Sequence, residues 1–193
     1  SIPNVTVFAP ATFAELREML ACAIDQVKGP VVIRYPRGGE NGRLEQVGVQ
    51  GAVTVKEGSN ITILTYGTMV GAALKAAERL EEQGVSAEVV KLNTISPIDY
   101  EFVSASVSKT GKLLVAEECV SMGCVGQRVA AWLSEHGSAP KHLIFCNLGT
   151  GFITHGTVPH FYRFCLIRAV YFIFCKSLFL FYSHIDKVPF TVL

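Results

Sequence analysis

No two cysteines in this 193-residue chain take the Cys-x-x-Cys spacing of a zinc or redox motif. The six, Cys22, Cys119, Cys124, Cys146, Cys165 and Cys175, are scattered singly. That argues against a zinc site or disulfide framework and reads as reduced, structural thiols in a cytoplasmic protein. Charge of either sign is also lacking in excess. The net value of +1 leaves no global field to recruit nucleic acid or a strongly acidic partner. Missing too are a Ser-His-Asp constellation, a Walker loop, a full Gly-x-Gly-x-x-Gly turn and basic residues interleaved with aromatics. The first residues do not read as a secretory leader. The chain opens at Ser1 just before the strand-like "NVTVFAP", so it is expected to be a portion of a longer protein. Neither glycine nor glutamate occurs after residue 160, which sets residues 161–193 apart from the rest.

What is present alternates. A short strand over Val5 to Phe8 leads through Pro10 to a helix opened by a capping box, Thr12 with Glu15 three residues on. Phe13, Leu16, Leu20, Ala23 and Ile24 fall at helical spacing and are expected to form its buried face. Gly29-Pro30 ends the helix, and Val31 to Tyr35 reads as a buried strand. Residues 38–60 are polar and glycine-rich, with a weak strand near Gly51 to Val55, and read as a linker. Four further strands then alternate with helices: "ITILTY", "SAEVVKLN", "GKLLVAEE" and "KHLIFCNL". The helices between them start after Gly67, around Pro97 and Asp99, and in "GCVGQRVAAWLSEHG". This order predicts an α/β protein with a doubly wound, mostly parallel sheet.

In such sheets ligands bind beyond the carboxyl ends of strands. Three ends carry candidate residues. In "RYPRGG", Pro36 stiffens the turn and Gly38 and Gly39 let the backbone pass close to a ligand. Arg37 there suits a phosphate, which a planar guanidinium can hold in bidentate fashion, or it is an ordinary surface arginine. Arg34, placed within the strand, reads as a structural ion-pair partner. Tyr66-Gly67-Thr68 reads as a tight structural turn. Glu117 and Glu118 could do acid–base work, but pairing with Arg128 or with a partner subunit is the preferred reading. Gly123 and Gly126 would allow close packing at a helix start. His155 lies in a glycine-flanked loop without a second catalytic group nearby in sequence.

"IPNVTVFAPATFAELREML…GPVVIRYPRGGE", "YGTMVGAALKAAERLEEQG…VVKLNTISPID", "LLVAEECVSMGCVGQRVAAWL" and "NLGTGFITHGTVPHFY" together resemble the carboxyl-terminal third of the 1-deoxy-D-xylulose-5-phosphate synthases. These enzymes belong to the thiamin-diphosphate-dependent transketolase superfamily, and "RYPRG" is the most specific piece. The resemblance covers residues 1 to about 164. It implies that residues 1–40 end a transketolase-type pyrimidine-binding domain. Residues 41–58 then link it to a transketolase carboxyl-terminal domain over residues 59–160. The implied reaction condenses pyruvate with glyceraldehyde 3-phosphate, with loss of CO2, in an enzyme that uses thiamin diphosphate and Mg2+ and forms a homodimer. Carried over, Arg37 matches the arginine that contacts the phosphate of glyceraldehyde 3-phosphate, whereas Arg34, Glu117 and Glu118 inherit no chemical role. The family's Gly-Asp-Gly motif is missing, as are the glutamate that activates the cofactor and the histidines near the reacting carbon. The chain alone is therefore expected to bind no cofactor and to be inactive.

The tail departs from the family. "LIRAVYFIFCKSLFLFY" approaches the ~20 residues of a membrane span, yet Arg168 and Lys176 interrupt it. A shifted reading frame, a membrane contact and a buried helix stay open as its origin. Two other readings compete with the synthase portion: a non-catalytic α/β dimerisation module, and a fragment like the β subunit of a 2-oxoacid dehydrogenase.

Overall fold

The computed structural model describes residues 3–35, 40, 44 and 48–151. The chain divides into two units, Ser1–Thr154 and His155–Leu193. The second unit, and with it His155 and the apolar tail, lies outside the described residues, as do Arg37 and its neighbours 36–39.

The first unit opens with β1 (Thr6–Phe8), α1 (Phe13–Asp25) and β2 (Val31–Ile33), whose two strands run parallel. The Thr12 hydroxyl accepts the Glu15 N–H at 3.1 Å, as the capping box requires. Two expectations fail here. Among the described residues β2 is an edge strand rather than a buried one, and Val32 is 51% exposed. The buried stripe of α1 is Glu15, Met19 and Cys22, while Phe13, Leu20 and Ile24 face outward. The reason is geometric. The sheet that α1 covers has three short strands, so it can bury only a narrow stripe, and that stripe packs on Phe8.

The second sheet is built from β3 (Ala52–Lys56), β4 (Ile61–Thr65), β5 (Ala87–Leu92), β7 (Lys112–Ala116) and β8 (His142–Cys146). Its strand order is β3-β5-β4-β7-β8, with β3 antiparallel and the other pairings parallel. The helices α2 (Met69–Glu82), α3 (Tyr100–Thr110) and α4 (Val125–Glu135) connect the parallel strands. From β4 the chain steps through α2 to β5, then returns through α3 across β4 to reach β7. Right-handed crossovers in opposite directions put helices on both faces. Leu64, Val90, Leu92, Leu113 and Val115 accordingly pack against Val103 and Val107 of α3 and Val129 and Leu133 of α4. The alternate residues Ile63, Val89 and Leu114 are equally buried on the other face. Asp99 caps α3, accepting the Phe102 N–H at 3.2 Å, so Pro97 precedes the helix instead of forming its first turn.

A three-residue strand, β6 (Thr94–Ser96), follows β5 after one residue and pairs antiparallel with β1. The sequence pattern there reads as a turn, yet this strand joins the two sheets. Glu15, Lys91 and Asn93 meet at the junction. The Lys91 ammonium donates to a Glu15 carboxylate oxygen and to the Asn93 side-chain oxygen. Glu15 also accepts the backbone N–H of Ala11 at 2.8 Å and that of Gly48 at 3.3 Å. Both charged side chains are at most 1% exposed. Burial pulls the Lys91 pKa down, against the upward pull of its bond to Glu15.

Removing one partner of a buried ion pair leaves the other charge stranded and costs about 3–5 kcal/mol. Lys91→Ala should therefore destabilise the chain by roughly that amount in urea unfolding. The double replacement Glu15→Leu/Lys91→Met should be less damaging than Lys91→Ala alone. A Lys91→Ala loss below ~1 kcal/mol would show that the pair does not hold the junction together.

Candidate functional site

The chain leaves β4 toward β5 on one side and re-enters at β7 on the other, so a crevice opens between the carboxyl ends of β4 and β7. That is where doubly wound sheets take their ligands. Here the crevice is filled by the protein's own side chains. Tyr66, Gly67 and Thr68 follow β4, Glu117 and Glu118 follow β7, and Arg34 enters from the end of β2.

Glu117 is fully buried. One carboxylate oxygen accepts the Tyr66 hydroxyl and the Val125 N–H, each at 3.0 Å. The other accepts the Gly126 N–H at 3.0 Å. Both N–H groups belong to the first turn of α4, where unpaired donors and the helix dipole favour an anion. Glu117 is thus an internal cap, with its carboxylate committed to three donors rather than aimed at solvent. Gly126 makes the approach possible, because a Cβ there would stand 2.7 Å from the Phe145 ring and 2.9 Å from Glu117. Gly123 works differently: its φ of +71° has open space around it, so it serves a turn and not close packing.

Glu118 accepts the Thr68 hydroxyl at 3.1 Å and lies 3.6 Å from the Arg34 guanidinium. Arg34 also donates to the Glu118 backbone carbonyl at 3.3 Å and sits 5.6 Å from the centre of the Tyr66 ring. Gly67, at φ +57°, leaves room for it, since a Cβ would come within 3.3 Å of the guanidinium. The expected structural role of Arg34 holds, although β2 ends at Ile33 and Arg34 lies just past it. Its N–H still continues the ladder, donating to Phe8 at 2.8 Å. The pairing of Glu117 and Glu118 with Arg128 does not hold. Arg128 turns toward β6 and donates to the Ile95 carbonyl at 3.4 Å. The Arg34 and Glu118 side chains are 38% and 30% exposed. Pairs so open to water contribute only ~0–1 kcal/mol, so this one matters for direction more than for stability.

The pKa shifts follow from the same burial. The Tyr66 hydroxyl is driven above its usual range, first by burial and then by the Glu117 charge. Burial, with Glu117 adding to it, pushes the Cys119 thiol from 9.0 up to about 12. Cys124, whose sulfur caps α4 through the Gln127 N–H at 3.4 Å, is also raised, mainly by burial.

Residues 36–39, Arg37 among them, lie outside the described residues, but Arg34 and Glu40 on either side are placed. Arg34 is held in the crevice. On the far side, the Glu40 carboxylate accepts the Phe13 N–H at 2.6 Å, in the first turn of α1. Beside it Pro10, Ala11, Thr12, Phe13, Leu16, Tyr35 and Glu40 line a hollow of about 20 Å³. That is room for about one water, against the ~300–1,000 Å³ of a ligand pocket. Among the described residues no three His, Cys, Asp or Glu side chains group as metal ligands. Nor is any described helix long and apolar enough to cross a membrane.

Sequence reasoning missed Lys91 and Glu40. Lys91 did leave a signal, as the one cation in the strand Ala87–Leu92, which reads AEVVKL.

A parallel sheet wound in both directions, with one antiparallel edge strand, defines the class as a doubly wound α/β fold. Residues 50–169 match the family described as transketolase, C-terminal domain, and the chain belongs to that family. The chain is 35% identical over 168 residues to a 1-deoxy-D-xylulose-5-phosphate synthase of Chlorobium phaeovibrioides, covering 84% of this chain and 26% of that protein. It is 37% identical over 141 residues to the synthase of Rippkaea orientalis, covering 70% and 22%. The chain thus spans about a quarter of the length of the curated relatives it matches and resembles their carboxyl-terminal portion. Among solved structures, one described as a split gene transketolase, inactive beta4 tetramer, aligns with a TM-score of 0.69 and 32% identity. That alignment covers 84% of this chain and 52% of the other. A transketolase of Pichia stipitis aligns at a TM-score of 0.66 and 22% identity, over 89% and 25%, and shares the fold.

The folded chain keeps protons on Tyr66 and Cys119 that the unfolded chain releases. Stability should accordingly be full below about pH 9 and fall as pH climbs toward 12. At pH 8, iodoacetamide should label Cys119 about a thousandfold more slowly in the folded chain than in urea. Peptide mapping reads this directly, and labelling within tenfold of the unfolded rate would refute the shift.

Proposed function

We propose that this chain is the carboxyl-terminal part of a transferase that joins pyruvate to glyceraldehyde 3-phosphate, with loss of CO2, forming 1-deoxy-D-xylulose 5-phosphate. The observation that carries the reading is similarity to such synthases over 84% of the chain, in a stretch that includes the "RYPRG" turn. In this reading residues 1–40 end the pyrimidine-binding domain, residues 41–58 link it onward with β3 as their extended segment, and residues 59–160 form the carboxyl-terminal domain. The complete enzyme is a cytoplasmic homodimer.

Arg37 is the residue of this chain that meets substrate. The phosphate of glyceraldehyde 3-phosphate is a dianion, and a guanidinium on a stiff Pro-Gly turn offers it two parallel N–H donors at little entropic cost. Arg37 thereby fixes the far end of the sugar while its aldehyde meets the donor carbon. The sequence contains no Gly-Asp-Gly motif of the kind that holds the diphosphate and metal in this family. When bound, thiamin diphosphate would supply the electron sink for loss of CO2, and parts of the enzyme outside this chain would hold it. Glu117 and Glu118 take no part in proton transfer, being bound to α4 and to Arg34 and Thr68.

In the complete enzyme containing this chain, Arg37→Ala should raise KM for glyceraldehyde 3-phosphate about 10- to 100-fold, the worth of a lost charge-assisted contact. KM for pyruvate should stay within twofold. Steady-state kinetics with each substrate varied in turn decides it. Equal shifts for both substrates, or none, would overturn the assignment.

A further inference from the structure

Cys124 caps the amino end of α4, where its sulfur accepts the Gln127 N–H at 3.4 Å. Thiols in that position are ordinarily acidified, because the first-turn N–H donors and the helix dipole stabilise a thiolate. In α4 a second group competes for the same end. The Val125 and Gly126 N–H groups both go to the Glu117 carboxylate, each at 3.0 Å. One helix turn thus serves a fully buried carboxylate and a thiol that is 4% exposed. A thiolate formed beside that carboxylate would set two like charges together away from water, so the sulfur keeps its proton.

Cys119 joins the cluster from the loop after β7. Its side chain meets Glu117 and the Tyr66 hydroxyl, and Cys124 meets Glu117 as well. To bond a carboxylate, a thiol must act as the donor and therefore stay protonated. The other groups around the sulfurs come from three strand ends. Tyr66 follows β4, Glu117 follows β7, and just past β8 the Asn147 amide lies 4.0 Å from the Cys124 sulfur. The Arg34 cation is turned to Glu118 and the Tyr66 ring. Glu118, for its part, is bound to Thr68 and Arg34. Burial holds both thiols in the protonated form, and Glu117 adds to it.

We propose that Glu117 is a guard group: it takes the positive end of α4 for its own charge and so holds Cys119 and Cys124 as unreactive thiols beside the crevice. The cluster has the parts of a reactive-thiol site, a cysteine pair and a helix amino terminus, with the place of the anion already filled. This role is separable from capping. A cap needs only an acceptor, which the side-chain oxygen of glutamine also supplies, whereas the guard needs the negative charge.

The test uses the full 193-residue chain and the variants Glu117→Gln and Tyr66→Phe. In Glu117→Gln, iodoacetamide should label Cys119 about tenfold faster at pH 8, the worth of one pKa unit, with the pH profile of labelling displaced downward. Cys22, buried in α1, should keep its rate and so report that the fold has not loosened. Tyr66→Phe removes a buried bond of Glu117 but leaves its charge, and Cys119 should label no faster. An unchanged Cys119 rate in Glu117→Gln, or a rise shared by Cys22 or by Tyr66→Phe, would make Glu117 a structural cap and overturn the guard. A measurement on the unaltered chain stands even where Glu117→Gln does not fold. The S–H stretching bands of Cys119 and Cys124, assigned through Cys119→Ser and Cys124→Ser, should persist at about pH 10, where a free thiol has ionised. Loss of either band by about pH 9 would likewise overturn the proposal.

Discussion

The contact between Glu15 and Lys91 is the constraint on which the arrangement of the first unit depends. It joins α1, which packs on the first sheet, to an interior strand of the second, and Asn93 extends the contact toward the strand that returns to β1. Two charges buried this deeply are tolerated because each oxygen of Glu15 is given donors, including two backbone N–H groups. An apolar pair of equal volume would hold α1 in place as well, but it would not select one register. A carboxylate that must find an ammonium and two amides has one satisfactory position. The orientation of α1 follows from it, and with that the site of the helix N-terminus where Glu40 docks.

The second sheet shows how a fold known for binding ligands can fill the place between its strand ends with its own side chains. Its crevice has the ingredients of an anion site: a glycine-containing turn, a helix N-terminus and strand ends. Glu117 occupies the helix N-terminus as a built-in anion, and Arg34 occupies the mouth as a built-in cation. Charge complementarity that elsewhere recruits a cofactor is here satisfied between elements of one chain. Membership of the transketolase carboxyl-terminal family accords with this arrangement.

The strands and helices were legible because each apolar run is bounded by glycine, proline or a capping residue, signals that act within a few residues. The Thr12 cap and the order of the strands were read on that basis. What depended on distant partners was not. Glu15 was recognised as half of a local capping box, but its burial depends on Lys91, 76 residues away. The outward turn of Phe13, Leu20 and Ile24 could not be read from helical spacing, because α1 carries two stripes of suitable period and only the width of the sheet beneath it decides between them. Glu117 looked like a candidate for acid–base work until Tyr66 and the first turn of α4 were brought to it. β6 was invisible since three residues carry no periodicity. Arg34 was read correctly as an ion-pair partner, for a local reason: it ends an apolar strand and cannot be buried alone.

The outward face of α1 has a practical bearing on any preparation of these residues. Beside it runs β2, which among the described residues pairs on one side only. A bare strand margin next to Phe13, Leu20 and Ile24 combines backbone groups seeking partners with oily side chains seeking cover. Such a surface invites stacking of one molecule upon another. Handled alone, the polypeptide will stay dispersed best where detergent covers that margin or dilution keeps molecules apart.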